Sequence, residues 1–217
     1  MTGDAERRIA SQFDSRFLRS YVRSKLRNDP VYRAVLERLR GTSAPIFDIG
    51  CGVGLLEFFL RENGVENAVT GIDHDERKIE TAKRIASKYT GLQFRAGDAR
   101  DSVPAGATVV MLDVLHYFTG EDQRRILENA AAAQGDLILI RDAVRDGTLR
   151  YRLTAVQEMF SRAVRWLRAE RLNFPAADDI VRPFREYTAE VTPMWGRTPF
   201  NNYLFVLRRS VGGITNR

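Results

Sequence analysis

A chain of 217 residues with 44% hydrophobic content is long enough for one well-buried domain and short for two. A single cysteine excludes an internal disulfide and a cysteine-built zinc site, and two scattered histidines give no reason to expect a metal. The net charge of +6 is unevenly spread: residues 1–44 hold ten Lys/Arg against five Asp/Glu, 45–140 ten against fifteen, 141–172 eight against four, and 173–217 six against four. Basic segments therefore flank an acidic middle, and they would either attract an acidic partner or solvate helix faces. Met1 to Ile9 is charged, and no stretch approaches the roughly 20 apolar residues needed to cross a bilayer, so the expectation is a cytoplasmic protein without a transmembrane segment.

Apolar spacing predicts helices over 5–27 and 30–40, with Pro30 at a helix start and Gly41 just past an end. From there the pattern alternates. Strands are expected at 45–49, 68–72, 92–95, 107–112 and 136–141, with helices at about 53–63, 75–89 and 120–133 between them, the order of a parallel sheet covered on both faces. A long helix is expected over about 149–171, with Arg162, Arg165, Arg168 and Arg171 as a winding stripe that could dock an acidic carrier protein or RNA. Two closing strands, about 186–194 and 202–208, flank the Gly- and Pro-containing connection Trp195-Gly196-Arg197-Thr198-Pro199-Phe200-Asn201, so the sheet should end in an antiparallel hairpin. The whole reads as one domain over 1–217: a helical cap (1–44), a core (45–140) and a substrate-side helix with the terminal hairpin (141–217).

The stretch richest in chemistry is Asp48-Ile49-Gly50-Cys51-Gly52-Val53-Gly54, set between the apolar run Pro45-Ile46-Phe47 and an amphipathic helix. Glycines keep side chains out of the way where backbone amides must approach a ligand, and the helix start that follows favours negative charge. A dinucleotide-binding loop would need Gly-x-Gly-x-x-Gly, but Leu55 stands at the last position of that pattern. Gly71-Ile72-Asp73 closes the second strand with an acid 23 positions after Gly50, where folds of this type place a ribose-binding carboxylate; helix capping is the competing role for Asp73, although His74 or Asp75 could fill it.

On the Asp48–Gly54 loop, the strand order, the leading helices and the terminal hairpin, the chain resembles the class I S-adenosylmethionine (SAM)-dependent methyltransferases. That resemblance implies an α/β, Rossmann-like fold with a seven-stranded, mostly parallel sheet, and SAM as cofactor. It implies a cofactor lining of Asp48, Gly50, Cys51, Gly52, Gly54, Asp73, His74, Asp98, Ala99 and Asp113. Within it, Asp98 of Gly97-Asp98-Ala99 would accept from the adenine amino group, with turn formation as its alternative, and Asp113 would lie near the sulfonium. Asp48 would either hold a water near the ammonium group or hold the loop. The pairing of residues 151–154 with 195–203 is also similar to a bacterial subgroup found beside acyltransferases in aryl-polyene-type pigment clusters.

Methyl transfer needs an aimed nucleophile and, for a hydroxyl, a proton acceptor. His116 and Tyr117 follow the fourth strand on the side where ligands bind in open α/β sheets, and His116 is the general-base candidate, with capping or packing as its competing role. Arg141, Tyr151, Trp195, Arg197 and Asn201 are the substrate-side candidates, suited to a carboxylate, a phosphate or a flat ring. The expected activity is methyl transfer to oxygen or carbon of a small molecule, such as an aromatic or acyl intermediate. The alternatives are an RNA methyltransferase using the basic flanks, or a cofactor-binding protein without catalysis.

Overall fold

The computed structural model describes residues 2–147, 172–195 and 201–210. Three helices lead the chain: α1 (Thr2–Ser11), α2 (Arg16–Asn28) and α3 (Val31–Leu39). The single helix expected over 5–27 is broken in two. Ser15 adopts extended backbone and its hydroxyl accepts from Leu18 N at 3.0 Å, capping a new helix start, while buried Phe13 anchors the break. Asp29 N donates to Lys25 O at 2.9 Å, ending α2 one residue before Pro30.

The core then alternates as the pattern implies: β1 (Ile46–Ile49), α4 (Leu55–Glu62), β2 (Val69–Asp73), α5 (Glu76–Ala86), β3 (Leu92–Ala96), β4 (Thr108–Leu112), a 3-10 turn (Leu115–Tyr117), α6 (Gly120–Ala132) and β5 (Leu137–Ala143). A short helix that the sequence pattern did not suggest, α7 (Ala177–Val181), precedes the hairpin β6 (Tyr187–Pro193) and β7 (Asn202–Arg209). The long helix expected over 149–171 and the tip of the terminal turn at 196–200 lie outside the described residues.

The seven strands form one sheet in the order β3-β2-β1-β4-β5-β7-β6. β1 to β5 are parallel, and β7 runs antiparallel to both β5 and β6. This is the expected mostly parallel sheet with an antiparallel end.

Consecutive residues of each central strand feed opposite faces, as a pleated strand requires. Val110, Leu139 and Val206 join the cluster under α1–α5, whereas Val109, Met111, Ile138, Ile140 and Phe205 join the cluster under α6 and α7. Phe58 of α4 is fully buried, stacked on Tyr89 at 5.3 Å and tilted against Phe94 at 5.8 Å. Truncation of Phe58 to alanine is expected to cost about 3–5 kcal/mol, read as a lower urea midpoint with an unchanged denaturant slope.

Candidate active site

Parallel strands bring all their carboxyl ends to one edge of the sheet, and there the loop after β1 is set by two backbone bonds. Gly50 N and Cys51 N both donate to Ile72 O, at 2.8 and 2.9 Å. The turn drives Gly50 and Gly54 to φ +80° and +81°, where a side chain is strained. It also leaves no room: a Cβ at Gly50 would strike Val114 beyond β4, and one at Gly54 would lie 2.9 Å from Phe94. Gly52 differs, since among the described residues nothing lies within 4 Å of a Cβ built there. The open side of the loop is therefore at Gly52.

Asp73, at the end of β2, faces this loop. Its carboxylate accepts from Gly52 N at 3.0 Å and Asp75 N at 2.9 Å, with Lys78 Nζ 3.8 Å and His74 Nδ1 3.4 Å away. Asp75, not Asp73, caps α5 by accepting from Arg77 N. The His74 side chain is mostly exposed. At the end of β3, Asp98 closes a local turn on Arg100, accepting from its backbone N at 2.8 Å and its Nε at 2.9 Å. Those bonds from Arg100 hold the Asp98 carboxyl at about 2, so it is ionised throughout the physiological range. Ala99 packs against the core cluster beside it.

Asp48 lies below the loop, not in its opening. It is 3% exposed and faces Glu57 from the first turn of α4, which is fully buried. Among the described residues no N–H or hydroxyl serves Asp48 Oδ1 or either oxygen of Glu57. Two carboxyl groups buried against each other without a donor favour a proton between them. Burial and the like charge of Glu57 raise the Asp48 carboxyl well above its usual range, and burial raises Glu57 to about 7. Gly71 makes space for this pair, since a Cβ there would lie 2.8 Å from both Glu57 Oε1 and Cys51 Cβ. Burial and the neighbouring Glu57 and Asp48 also push the Cys51 thiol up, so it stays neutral and packs as a small filler.

The ends of β4 and β5 stand level, with Leu112 opposite Arg141. Asp113 takes a positive φ of 61°, its N–H donating to Arg141 O at 2.8 Å. Arg141, a candidate grip on the acceptor, is turned into the fold: its buried guanidinium pairs with Asp113 and donates to Asp29 Oδ1 and Oδ2 at 3.3 and 3.2 Å. Burial opposes that charge, but Asp113 and Asp29 outweigh it and keep the guanidinium protonated. Lys25 of α2 faces Tyr32 and Asp113, which favour its ammonium form. The helical cap is thus fastened over the ends of β4 and β5.

Beyond these, His116 of the 3-10 turn after β4 places its Nδ1 2.6 Å from Oδ1 of Asp142, the residue after Arg141. Asp142 is fully buried and also accepts from Leu115 N at 2.8 Å and Ala143 N at 2.8 Å. Asp142 thus accepts backbone N–H bonds and can accept a further one from His116 Nδ1–H, which would fix the ring of the buried histidine. Tyr117 and Phe174 flank the imidazole at 4.1 and 5.6 Å. Asp142 was not singled out from sequence; the pairing of β4 with β5, which sets the two strand ends side by side, is the signal that finds it. Glu57 was missed too, because a lone acid in an amphipathic helix reads as solvated.

Trp195 is 37% exposed and meets Tyr203 edge to face at 6.1 Å. Asn201 is buried, its amide donating to Val144 O at 2.8 Å and Asp146 Oδ2 at 2.9 Å. Tyr151 and Arg197 lie outside the described residues. Among the described residues no group of His, Cys, Asp and Glu could hold a metal, and no helix is long and apolar enough to cross a membrane.

Residues 46–134 match the family model of a methyltransferase domain. No curated protein sequence matches the chain. Among solved structures, magnesium protoporphyrin IX methyltransferase (ChlM) from Synechocystis PCC 6803, with bound S-adenosylhomocysteine, superposes with a TM-score of 0.68 at 21% identity, covering 95% of this chain and 94% of that one. The pyocyanin biosynthetic protein PhzM gives 0.68 at 13% identity over 94% of this chain and 61% of its own. The mitomycin 7-O-methyltransferase MmcR gives 0.61 at 16% identity over 96% and 54%. The fold is shared with these proteins.

The buried acid pair has a consequence for pH. A carboxyl raised in the folded state contributes stability that is complete below its unfolded value, near 4.5 for Glu57, and is lost as pH rises through its folded value of about 7. Urea denaturation between pH 5 and 8 should therefore show stability falling with pH, and Glu57→Gln should flatten that slope; an unchanged slope would remove the shared proton.

Proposed function

We propose that this methyltransferase domain, with SAM as cofactor, methylates a hydroxyl oxygen of a small molecule, His116 serving as general base. The observation that carries the reading is the His116–Asp142 pair at the end of β4, next to a cofactor loop whose one open position is Gly52. The chain's own residues fit SAM: Gly52 leaves room for close approach, Asp73 stands beside it for the ribose hydroxyls, and Asp98 lies at the next strand end for the adenine amino group. An acidic lining suits a donor that carries two cationic centres. When bound, SAM supplies an electrophilic methyl group on its sulfonium.

The protein's part is orientation and proton removal. Asp142 fixes the ring of His116 with Nδ1–H donated inward, so that Nε2 would be the atom to receive the proton an acceptor hydroxyl gives up. Asp113, held by Arg141, sets the wall on the same side. The names of two fold relatives, a mitomycin 7-O-methyltransferase and a magnesium protoporphyrin IX methyltransferase, support a small-molecule acceptor. A cytoplasmic location accords with this reading.

Calorimetry supplies the first test: the wild type should bind SAM at one site and Asp73→Ala should weaken that binding by about ten- to a hundredfold, whereas no heat in the wild type would sink the proposal. With an acceptor found by screening phenols and acyl-linked hydroxy acids, Asp142→Asn should lower kcat by about 10²–10⁴-fold, the range of general acid–base catalysis, with SAM affinity unchanged. An unaltered kcat would leave His116 without a catalytic role.

A further inference from the structure

β6 is the last strand of the sheet, and β7 covers one of its two edges. Ser210 N donates to Glu186 O and Met194 N to Asn202 O, both at 2.8 Å, at the two ends of that pairing. Bonded positions alternate along an antiparallel ladder, so Thr188, Glu190 and Thr192 use their main-chain groups on β7, and Tyr187, Ala189, Val191 and Pro193 turn theirs to the open side. Tyr187 N already donates to Phe184 O at 3.1 Å, and Pro193 has no N–H, which suits a proline to an outward edge position. The open edge therefore offers the N–H groups of Ala189 and Val191 between the carbonyls of Tyr187 and Pro193. Among the described residues no acceptor meets either N–H.

The same alternation puts Tyr187, Ala189, Val191 and Pro193 on one face of the strand. Trp195 continues the row, because its ring meets Tyr203, the cross-strand neighbour of Pro193. Ala189, Pro193 and Trp195 are exposed, and Val191 is 43% exposed. Natural sheet edges are guarded by brevity or by charge. β6 is seven residues long, and its one charge, Glu190, lies on the other face and is turned back to Arg38 of α3 at 2.7 Å. An unguarded edge of this kind accepts another strand, and the pattern of its donors and acceptors decides which.

The pattern is complementary to itself. In an antiparallel pair centred on Val191, that residue and the partner's Val191 exchange both of their bonds, and each Ala189 N–H meets the carbonyl of the partner's Pro193. Both open donors are then used, and only the Ala189 carbonyl, facing a proline, is left to water. Glu190 lies across from the partner's Thr192, and Tyr187 across from the partner's Trp195. Centring the pair on Glu190 would set like charges face to face, and centring it on Ala189 would leave Pro193 and Trp195 beyond the pairing. We propose that β6 is a dimer edge, pairing antiparallel with β6 of a second copy of this chain about a two-fold axis at Val191. The two sheets then run on into one, and Val191, Pro193 and Trp195 of each copy leave water together. This inference is independent of the methyl-transfer reading.

The test is sedimentation velocity of the full chain at about 100 μM, a concentration suited to a small interface, together with amide hydrogen exchange read at Ala189 and Val191. The wild type should sediment as a dimer with both amides protected. Val191→Pro removes an N–H that no bond of the β6–β7 ladder uses, so it should give a monomer with unchanged far-ultraviolet circular dichroism, in which the Ala189 amide exchanges at least about tenfold faster. Val191→Lys should give the same result and keeps the test open if the proline is not tolerated. A monomeric wild type overturns the proposal, whether its two amides are open or are protected by another part of the same chain. A dimer that survives these substitutions is held by another surface and overturns it equally.

Discussion

One carbonyl, Ile72 O, accepts from two successive amides, Gly50 N and Cys51 N, and the rest of the site hangs on that sharing. It folds the loop after β1 back across the end of β2, which brings Gly52 N to Asp73 and puts Gly54 at the start of α4. It also presses Gly50 against Val114 beyond β4, so the first, second and fourth strands meet through backbone and small side chains. A bulkier loop could not make the turn, and a less acidic strand end could not hold its amide. The cradle is built from main chain, and its shape depends little on rotamers.

Charge burial divides the molecule into two regions with opposite solutions. Under the loop, Asp48 and Glu57 avoid the cost of two buried anions by keeping a proton between them. At the ends of β4 and β5, Arg141 stays charged and is matched by Asp29 and Asp113, one from the cap and one from the sheet. Removing one member of a buried ion cluster leaves an uncompensated charge at about 3–5 kcal/mol. The first arrangement lies under the loop after β1; the second fastens the helical cap to the ends of β4 and β5.

Much of this was legible in the sequence, and the exceptions share a cause. The alternation of strands and helices, the terminal hairpin and the three-glycine loop are local patterns, and each appears where its spacing implied. The break at Asp14–Ser15 was hidden because apolar spacing runs through it unchanged, and only the Ser15 cap marks it. Arg141 reads from sequence as a free cation at a ligand-facing strand end; its partners are 112 residues upstream and 28 upstream, out of reach of any local pattern. Asp142 and Glu57 were invisible for the same reason, since an acid's partner is decided by strand register and by which helix face is buried. Asp98 was read for an adenine contact, and its bonds to Arg100 arise from a turn two residues long.

The cap's attachment carries a consequence for the order of assembly. Asp29 meets Arg141 only after the chain has closed a loop of 112 residues and β5 has paired with β4. Contacts at such sequence separation form late, because loop-closure entropy must be met before they return anything. The loop after β1 needs only β1 and β2, 21 residues apart at Gly52 and Asp73. A nascent or partly refolded chain can therefore close the Gly52–Asp73 loop before the Asp29–Arg141 contact forms.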